Sequence, residues 1–418
     1  MALNTVNDYI DAKLTHSVHT SGAKSFRGCR RRWNWLFNDY WYPKTTVKPL
    51  EFGVAFHKAA EVLYDPLLWN KPTEVVKQLA RVALHATIMA QRKAYYEAFP
   101  GEEPEIEADY TERLELGYGM IGYWLTHGRQ KDIDEGFKPL QVEISFEIPI
   151  TGPNGETLWC RCDSCWDRFK AYKATKFVAW QIATEDNLKL TKEHWQGLPV
   201  SYGGRIDCIM EGPDGRIWIV DWKTAAQLSI DREEFLQLDD QIKRYCAALR
   251  KLGYRVAGFL YHEVRKAVPL EPEPLTRPYK GCIYSQNKQN PVEYDTYKIT
   301  VKENDAGAYS QGLYNNYLQY LLENPQRFSA RFPIYCSDKE LDSVEMTMWD
   351  EACDMMDPNI RIYPNAGRFN CTNCAFRIPC LETNSQRDVE YTLATLFDKR
   401  RYHYWEDKKP STDSKGNE

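Results

Sequence analysis

No stretch of the 418-residue chain stays apolar for long enough to span a bilayer. The opening, M-A-L-N-T-V-N-D-Y-I-D, has no basic segment followed by an apolar one, so it does not read as a secretory signal. A cytoplasmic protein without a membrane partner is expected. Excess positive charge is missing too. Against 59 acidic residues stand 54 lysines and arginines, a formal net charge of −5. A polyanionic partner would have to meet a local positive surface, not a globally basic one. No internal repeat recurs, which excludes a solenoid or a propeller.

The chain is long enough for one large elaborated domain or two smaller ones, with a full core and no covalent staples. Aromatic residues reach 13%, which suits base stacking and core packing equally. Twelve cysteines in a cytosolic chain point to metal binding or buried thiols, not a disulfide framework.

The most informative stretch runs from Tyr202 to Lys223, Y-G-G-R-I-D-C-I-M-E-G-P-D-G-R-I-W-I-V-D-W-K. Ile206, Ile209, Ile217, Ile219 and Val220 are strand formers, and Gly212, Pro213, Asp214 and Gly215 between them form a turn. A hairpin folded about Asp214 opposes residues whose numbers sum to 428, which sets Asp207 across from Asp221. Lys223, two residues on, shares the face of Asp221. A cross-strand ion pair explains one aspartate and the lysine, but not a second aspartate among apolar residues. A divalent cation such as Mg²⁺ reconciles all three, with the lysine left to hold a reacting anion.

Along the rest of the chain, Phe26, Cys29, Trp33, Leu36, Phe37 and Tyr40 recur at helical spacing up to Pro43. Arg27, Arg30 and Arg31 lie largely off that stripe, as a solvated face or as a track for a phosphate backbone. Further helices are predicted over 51–69, 73–98 and 108–127. His57 sits beside the apolar face of the first, where a lone histidine is more often packed than metal-bound. Residues 139–150 read as a strand whose polar face carries Glu143 and Glu147; either could approach the metal site, though solvent is the commoner place for them. A helix over 232–251 puts Gln241 and Tyr245 on one face. A strand at 254–264, a proline-rich loop at 265–280, a strand near 293–301 and helices near 304–323 and 338–356 follow.

Two cysteine groups stand out. Cys160, Cys162 and Cys165 lie in W-C-R-C-D-S-C-W; a zinc site there needs a distant fourth ligand such as His194, and an insertion with free thiols is the expected reading. Cys371, Cys374 and Cys380, in C-T-N-C-A-F-R-I-P-C, suit a soft metal centre. No cysteine follows, so a fourth comes from upstream, with Cys29 the attractive candidate; iron–sulfur and zinc both fit such a set.

Together these pieces resemble the PD-(D/E)XK nuclease superfamily, most closely its RecB/AddB-type branch and the iron–sulfur CRISPR-associated exonucleases. The resemblance rests on G-V-A-F-H, G-R-I-D, V-D-W-K-T, Q-I-K-R-Y and the split cysteines, in that family's order. It implies an α/β (α+β) fold: a restriction-endonuclease-like core with a central mixed sheet flanked by helices, an N-terminal helical region and a C-terminal cysteine segment. It implies that His57, Asp207, Asp221 and the backbone carbonyl of Trp222 hold Mg²⁺ or Mn²⁺. Lys223, Gln241 and Tyr245 then complete the catalytic set, and Cys29, Cys371, Cys374 and Cys380 hold a 4Fe–4S cluster.

The expected organisation is a lead-in, 1–20, then one nuclease domain, 21–385, then a tail, 386–418, disordered after about 405. Within the domain lie a helical part (21–130), a catalytic core (138–264) with an insertion at 151–200, and the C-terminal helices with the cysteine segment (300–385). With no helicase motif, it would be a stand-alone, single-strand-preferring DNA exonuclease in recombination, repair or processing. Its partners would be single-stranded DNA or duplex ends, and replication or recombination proteins. The rival readings are a non-catalytic DNA-binding protein on the same fold and an iron–sulfur redox protein.

Overall fold

The computed structural model describes residues 14–44, 48–98, 103–176, 195–228, 232–324 and 328–399. Seven strands make one mixed sheet: β1 His16–Val18, β2 Lys138–Pro149, β3 Trp159–Cys160, β4 Leu198–Glu211, β5 Ile217–Ala225, β6 Val256–Arg265 and β7 Ser329–Tyr335. The order is β1-β4-β5-β6-β7, with β2 and β3 also paired to β4. The β1/β4 and β5/β6 pairs are parallel and the others antiparallel.

The long strand β4 is the hub. β2 follows one of its edges over 201–211. On the other edge β5 takes 208–211 and β1 takes 200–202. Between them, among the described residues, no strand pairs with 203–207 on that side. The sheet forks there, and Asp207 lies at the fork.

Helices cover both faces. On one, Phe56, Leu63, Leu84, Met120 and Trp124 from helices Lys48–Leu63, Thr73–Ala98 and Glu103–Trp124 pack on Cys208, Met210, Val220 and Trp222. On the other, Phe26, Ile242, Leu249 and Met348 from helices Thr20–Gly28, Asp240–Lys251 and Asp338–Met356 pack on Ile206, Ile209, Ile219 and Phe259. Each fully buried aliphatic or Phe side chain contributes about 1.5–3 kcal/mol. The alternation along β5, Ile219 to one core and Val220 and Trp222 to the other, is the period-two pattern of a strand covered on both faces. In β4 that pattern breaks once: Ile206 enters one core and Cys208, two residues on, enters the other. Opposite the break, Glu143 of β2 has φ +52°, a conformation that costs a non-glycine residue about 1–3 kcal/mol. The irregularity falls at Asp207, so the strained backbone borders the acidic residues.

Several expectations need correction. Residues 294–304 form a helix, Tyr294–Asn304, in place of the strand read near 293–301. The β-branched run Ile299-Thr300-Val301 favours a strand locally, but Tyr297 and Val301, four apart, are both fully buried against Tyr314 and Tyr317, and that packing wins. The segment expected as one helix over 232–251 is two, Arg232–Gln237 and Asp240–Lys251. Asp239 caps the second by accepting from the Gln241 N–H at 2.8 Å, which sets Gln241 in its first turn. The proline-rich loop contains a strand, Pro274–Tyr279, paired with Cys282–Tyr284.

The expected lead-in supplies β1. In the expected tail, helix Val389–Leu396 is followed by Phe397–Lys399, which pairs with Trp41–Pro43. The end of that tail and His194 lie outside the described residues. Among the described residues, no helix is long and apolar enough to cross a membrane.

Candidate active site

The hairpin has the register its sequence dictates. Cys208 pairs with Val220, Ile209 with Ile219, Met210 with Trp218 and Glu211 with Ile217, so Asp207 and Asp221 fall one step beyond the last pair, at the fork. There the Asp207 Oδ2 accepts from the Trp222 N–H at 3.4 Å. From the helical layer His57 reaches the same carboxylate, with Nδ1 3.2 Å from Oδ2.

Asp221 is 5% exposed. The Lys223 Nζ lies 2.8 Å from its Oδ1 and donates to it. The ammonium is also 2.7 Å from Oδ2 but out of line for a hydrogen bond, so that buried oxygen has no hydrogen-bond donor. Burial pushes the Asp221 carboxyl up; Lys223 opposes this and the Asp207 charge adds to it. Burial alone would lower Lys223, but the charges of Asp221 and Asp207 outweigh it and raise its pKa, keeping it an ammonium. Burial would likewise depress His57; the hydrogen bond and charge of Asp207 reverse this and raise it. Two carboxylates, an imidazole and an ammonium thus share one electrostatic neighbourhood.

A cleft of about 310 Å³ opens over this group, lined by Lys24, Asp221, Lys223, Asp239, Gln241 and Glu263 among others. Tyr245, one turn beyond Gln241, packs edge-on to Phe146 with ring centroids 5.5 Å apart. Burial, then the charge of Asp221, pushes its hydroxyl up to about 12, so it is a proton donor at neutral pH. Gly204 makes room for it: a Cβ there would sit 3.1 Å from Tyr245 Cε1 and 2.7 Å from Phe146 Cζ. Every residue expected at the hydrolytic site therefore converges on the fork or its cleft.

Two further acidic residues belong to the neighbourhood: Glu263, which its sequence context did not single out, and Glu143, one of the two strand glutamates that could approach the site. Glu263 on β6 pairs in register with Lys223 and is fully buried; its strand reads as ordinary apolar core, so nothing local marks it. Glu143 comes within electrostatic range of Asp207 and Glu61, and burial followed by the Glu61 charge pushes its carboxyl up. Glu147 does not approach the site; it accepts from Ser201 Oγ at 2.6 Å, beside β1.

The cysteines expected at the second centre come from both ends of the chain. Cys29 interrupts the N-terminal helix with extended backbone, φ −166° and ψ 107°, between Thr20–Gly28 and Arg30–Trp33. The Asn365 N–H points at its sulfur from 3.5 Å, and the Gly367 N–H at Cys371 Sγ from 3.5 Å. Arg31 donates to Cys380 Sγ at 3.3 Å and to Asn384 at 2.8 Å. Burial raises the Cys374 thiol, and Cys29 and Cys371 both bear on it electrostatically. The arginine run makes contacts within the fold. Arg27 pairs with Asp240 and Glu351, and Arg30 lies over Phe26 and Tyr363, so these side chains tie the helix into the fold.

The profile of the PD-(D/E)XK nuclease superfamily matches residues 19–381. The chain belongs to the PD-(D/E)XK nuclease superfamily. No curated protein matches it. Membership agrees with the central mixed sheet flanked by helices, a restriction-endonuclease-like arrangement, and supports a hydrolase acting on DNA.

The superfamily usually works with divalent cations, and the donor chemistry suits one: two carboxylates, one with an orphaned buried oxygen, and an imidazole 3.2 Å from the other. If His57 is a ligand it must bind as neutral imidazole, and its raised pKa sets protons in competition with the cation. The Mg²⁺ concentration giving half-maximal cleavage should therefore fall as pH rises above the ordinary histidine value near 6.5. His57→Ala should raise that concentration about tenfold or more and flatten its pH dependence. A packed histidine would instead lower the melting temperature and leave the metal titration unchanged.

Proposed function

We propose that the protein is a Mg²⁺- or Mn²⁺-dependent deoxyribonuclease of the RecB/AddB type, an exonuclease that prefers single strands and acts in recombination, repair or processing. The observation that carries the reading is the convergence of Asp207, His57, Asp221 and Lys223 at the fork in the sheet. Asp207, Asp221 and His57, with the Trp222 carbonyl, would hold the cation. Bound there, it supplies Lewis acidity to the scissile phosphate and an acidified water.

The chain's own residues do the rest. Lys223, fixed by Asp221, offers an ammonium to the attacking water or to the charge that develops on phosphorus-bound oxygen. Tyr245 offers a hydroxyl proton, and Gln241, one turn earlier on the same helix and capped into place by Asp239, offers an amide. Phe235, 69% exposed, precedes the cleft-lining Asp239 by four residues and offers an aromatic face on which an unpaired base can stack.

Cys29, Cys371, Cys374 and Cys380 would hold a 4Fe–4S cluster that fastens the N-terminal helix to the C-terminal segment within one nuclease domain. What supports this is the donor set: four cysteines from distant parts of the chain, with backbone N–H groups directed at Cys29 and Cys371 and an arginine at Cys380.

End-labelled linear single strands, linear duplex and circular single strands, each incubated with Mn²⁺, test the exonuclease reading. Linear single strands should be degraded fastest and circles left intact. Nicking of circles at the linear rate would make the enzyme an endonuclease.

A further inference from the structure

The cysteines of W-C-R-C-D-S-C-W have a fourth partner, and it comes from the lead-in. His16 on β1, Cys160 on β3, and Cys162 and Cys165 at the start of helix Asp163–Lys176 bring one ligand atom each to within 4.8 Å of all the others. His16 Nδ1 is 3.1 Å from Cys165 Sγ. Cys160 and Cys165 are 5% and 1% exposed, and all three cysteines are free of disulfides. The Cys165 N–H is directed at Cys162 Sγ from 3.4 Å, the kind of amide contact that stabilises a thiolate.

We propose that His16, Cys160, Cys162 and Cys165 bind one structural Zn²⁺ ion. Four donors of the Cys₃His type close a tetrahedral site and leave no open position for substrate. Zinc–sulfur bonds of about 2.3 Å and zinc–nitrogen bonds of about 2.0–2.1 Å put tetrahedral ligands roughly 3.5–3.8 Å apart, and the four ligand atoms, all within 4.8 Å of one another, need only a small contraction to reach it. A four-iron cube interposes its own edges between the cysteine sulfurs and would hold them farther apart.

The surroundings are those of a staple. Trp166, Phe169 and Trp195 stack beneath the cysteines with centroids 5.2–5.9 Å apart. Arg168 from the cysteine helix donates to the Thr15 carbonyl at 3.0 Å, next to His16. β1 and β3 each add only a few residues to β4, too little pairing to hold alone. The ion joins both to the helix of the 151–200 segment. β1 is one border of the fork, and just past it His19 Nδ1 lies 2.8 Å from the Gly203 carbonyl. The zinc site thus secures the edge of the sheet from which Asp207 projects. It stands independently of the nuclease reading.

The test is elemental analysis of the full-length protein, produced with zinc and iron in the medium and dialysed against a weak chelator. Wild type should retain about one zinc per chain. Cys162→Ser, at the exposed ligand, and His16→Gln should each lose at least about nine-tenths of the zinc, melt earlier and change tryptophan emission, with iron content unchanged. Cys371→Ser should keep the zinc. Should His16→Gln fail to fold, Cys162→Ser decides. Wild type without zinc, full zinc in Cys162→Ser, or a loss of iron in place of zinc would each overturn the assignment.

Discussion

Asp221→Ala should reduce DNA cleavage by about 10³-fold or more, equivalent to about 4 kcal/mol of lost transition-state stabilisation. Lys223→Ala should fall as far. Asp221 has a carboxylate oxygen that is buried and without a hydrogen-bond donor, and Lys223 is the ammonium held against it. Truncating Asp221 removes a ligand and releases Lys223 together, so its effect should be at least that of either loss alone. The cost to folding should be small, because the substitution also relieves repulsion between Asp207 and Asp221 in a buried place. Melting temperatures within about 3 °C of wild type are expected. Wild-type cleavage rates in both purified variants would remove these residues from the chemistry.

The second large effect belongs to Cys29. Anaerobically purified wild type should be brown, with about four iron atoms per chain. Cys29→Ala should lose the colour and most of the iron, melt earlier and lose nuclease activity, although Cys29 lies far in sequence from Asp221. Helix Thr20–Gly28 packs against helices Asp240–Lys251 and Asp338–Met356 through Arg27, Asp240 and Glu351, and Asp240–Lys251 carries Gln241 and Tyr245. Freeing one end of that helix should therefore disturb the wall of the cleft. Cys160→Ala should keep its iron while losing zinc, so the two cysteine sets can be told apart in one elemental analysis. Full iron in Cys29→Ala would remove the staple.

The candidate site at the fork was legible because its logic is local. A turn at Asp214 fixes a register, and a register fixes which side chains oppose one another, so Asp207, Asp221 and Lys223 could be placed from a single hairpin. His57, Gln241 and Tyr245 became visible through resemblance to a family, since nothing about an isolated helix says which face meets a distant strand. What escaped was long-range. His16 lies 144 residues from Cys160, and its strand is three residues long, too short to show a period. Glu263 sits in an apolar strand and owes its place to pairing with Lys223 across a parallel crossover. The φ of Glu143 has no signature in its own side chain. In the helix Tyr294–Asn304 the β-branched residues favour a strand locally and the burial pattern favours a helix.

Incubating the pure protein with end-labelled single-stranded DNA, in Mg²⁺ or Mn²⁺ and in excess EDTA, tests the central claim most directly, with a protein carrying both Asp207→Asn and Asp221→Asn run alongside. Cleavage that appears only with the cation, and only in the protein that keeps both aspartates, is the predicted result. Cleavage that survives EDTA, or that the double variant retains at the wild-type rate, would contradict a hydrolytic metal centre at the fork.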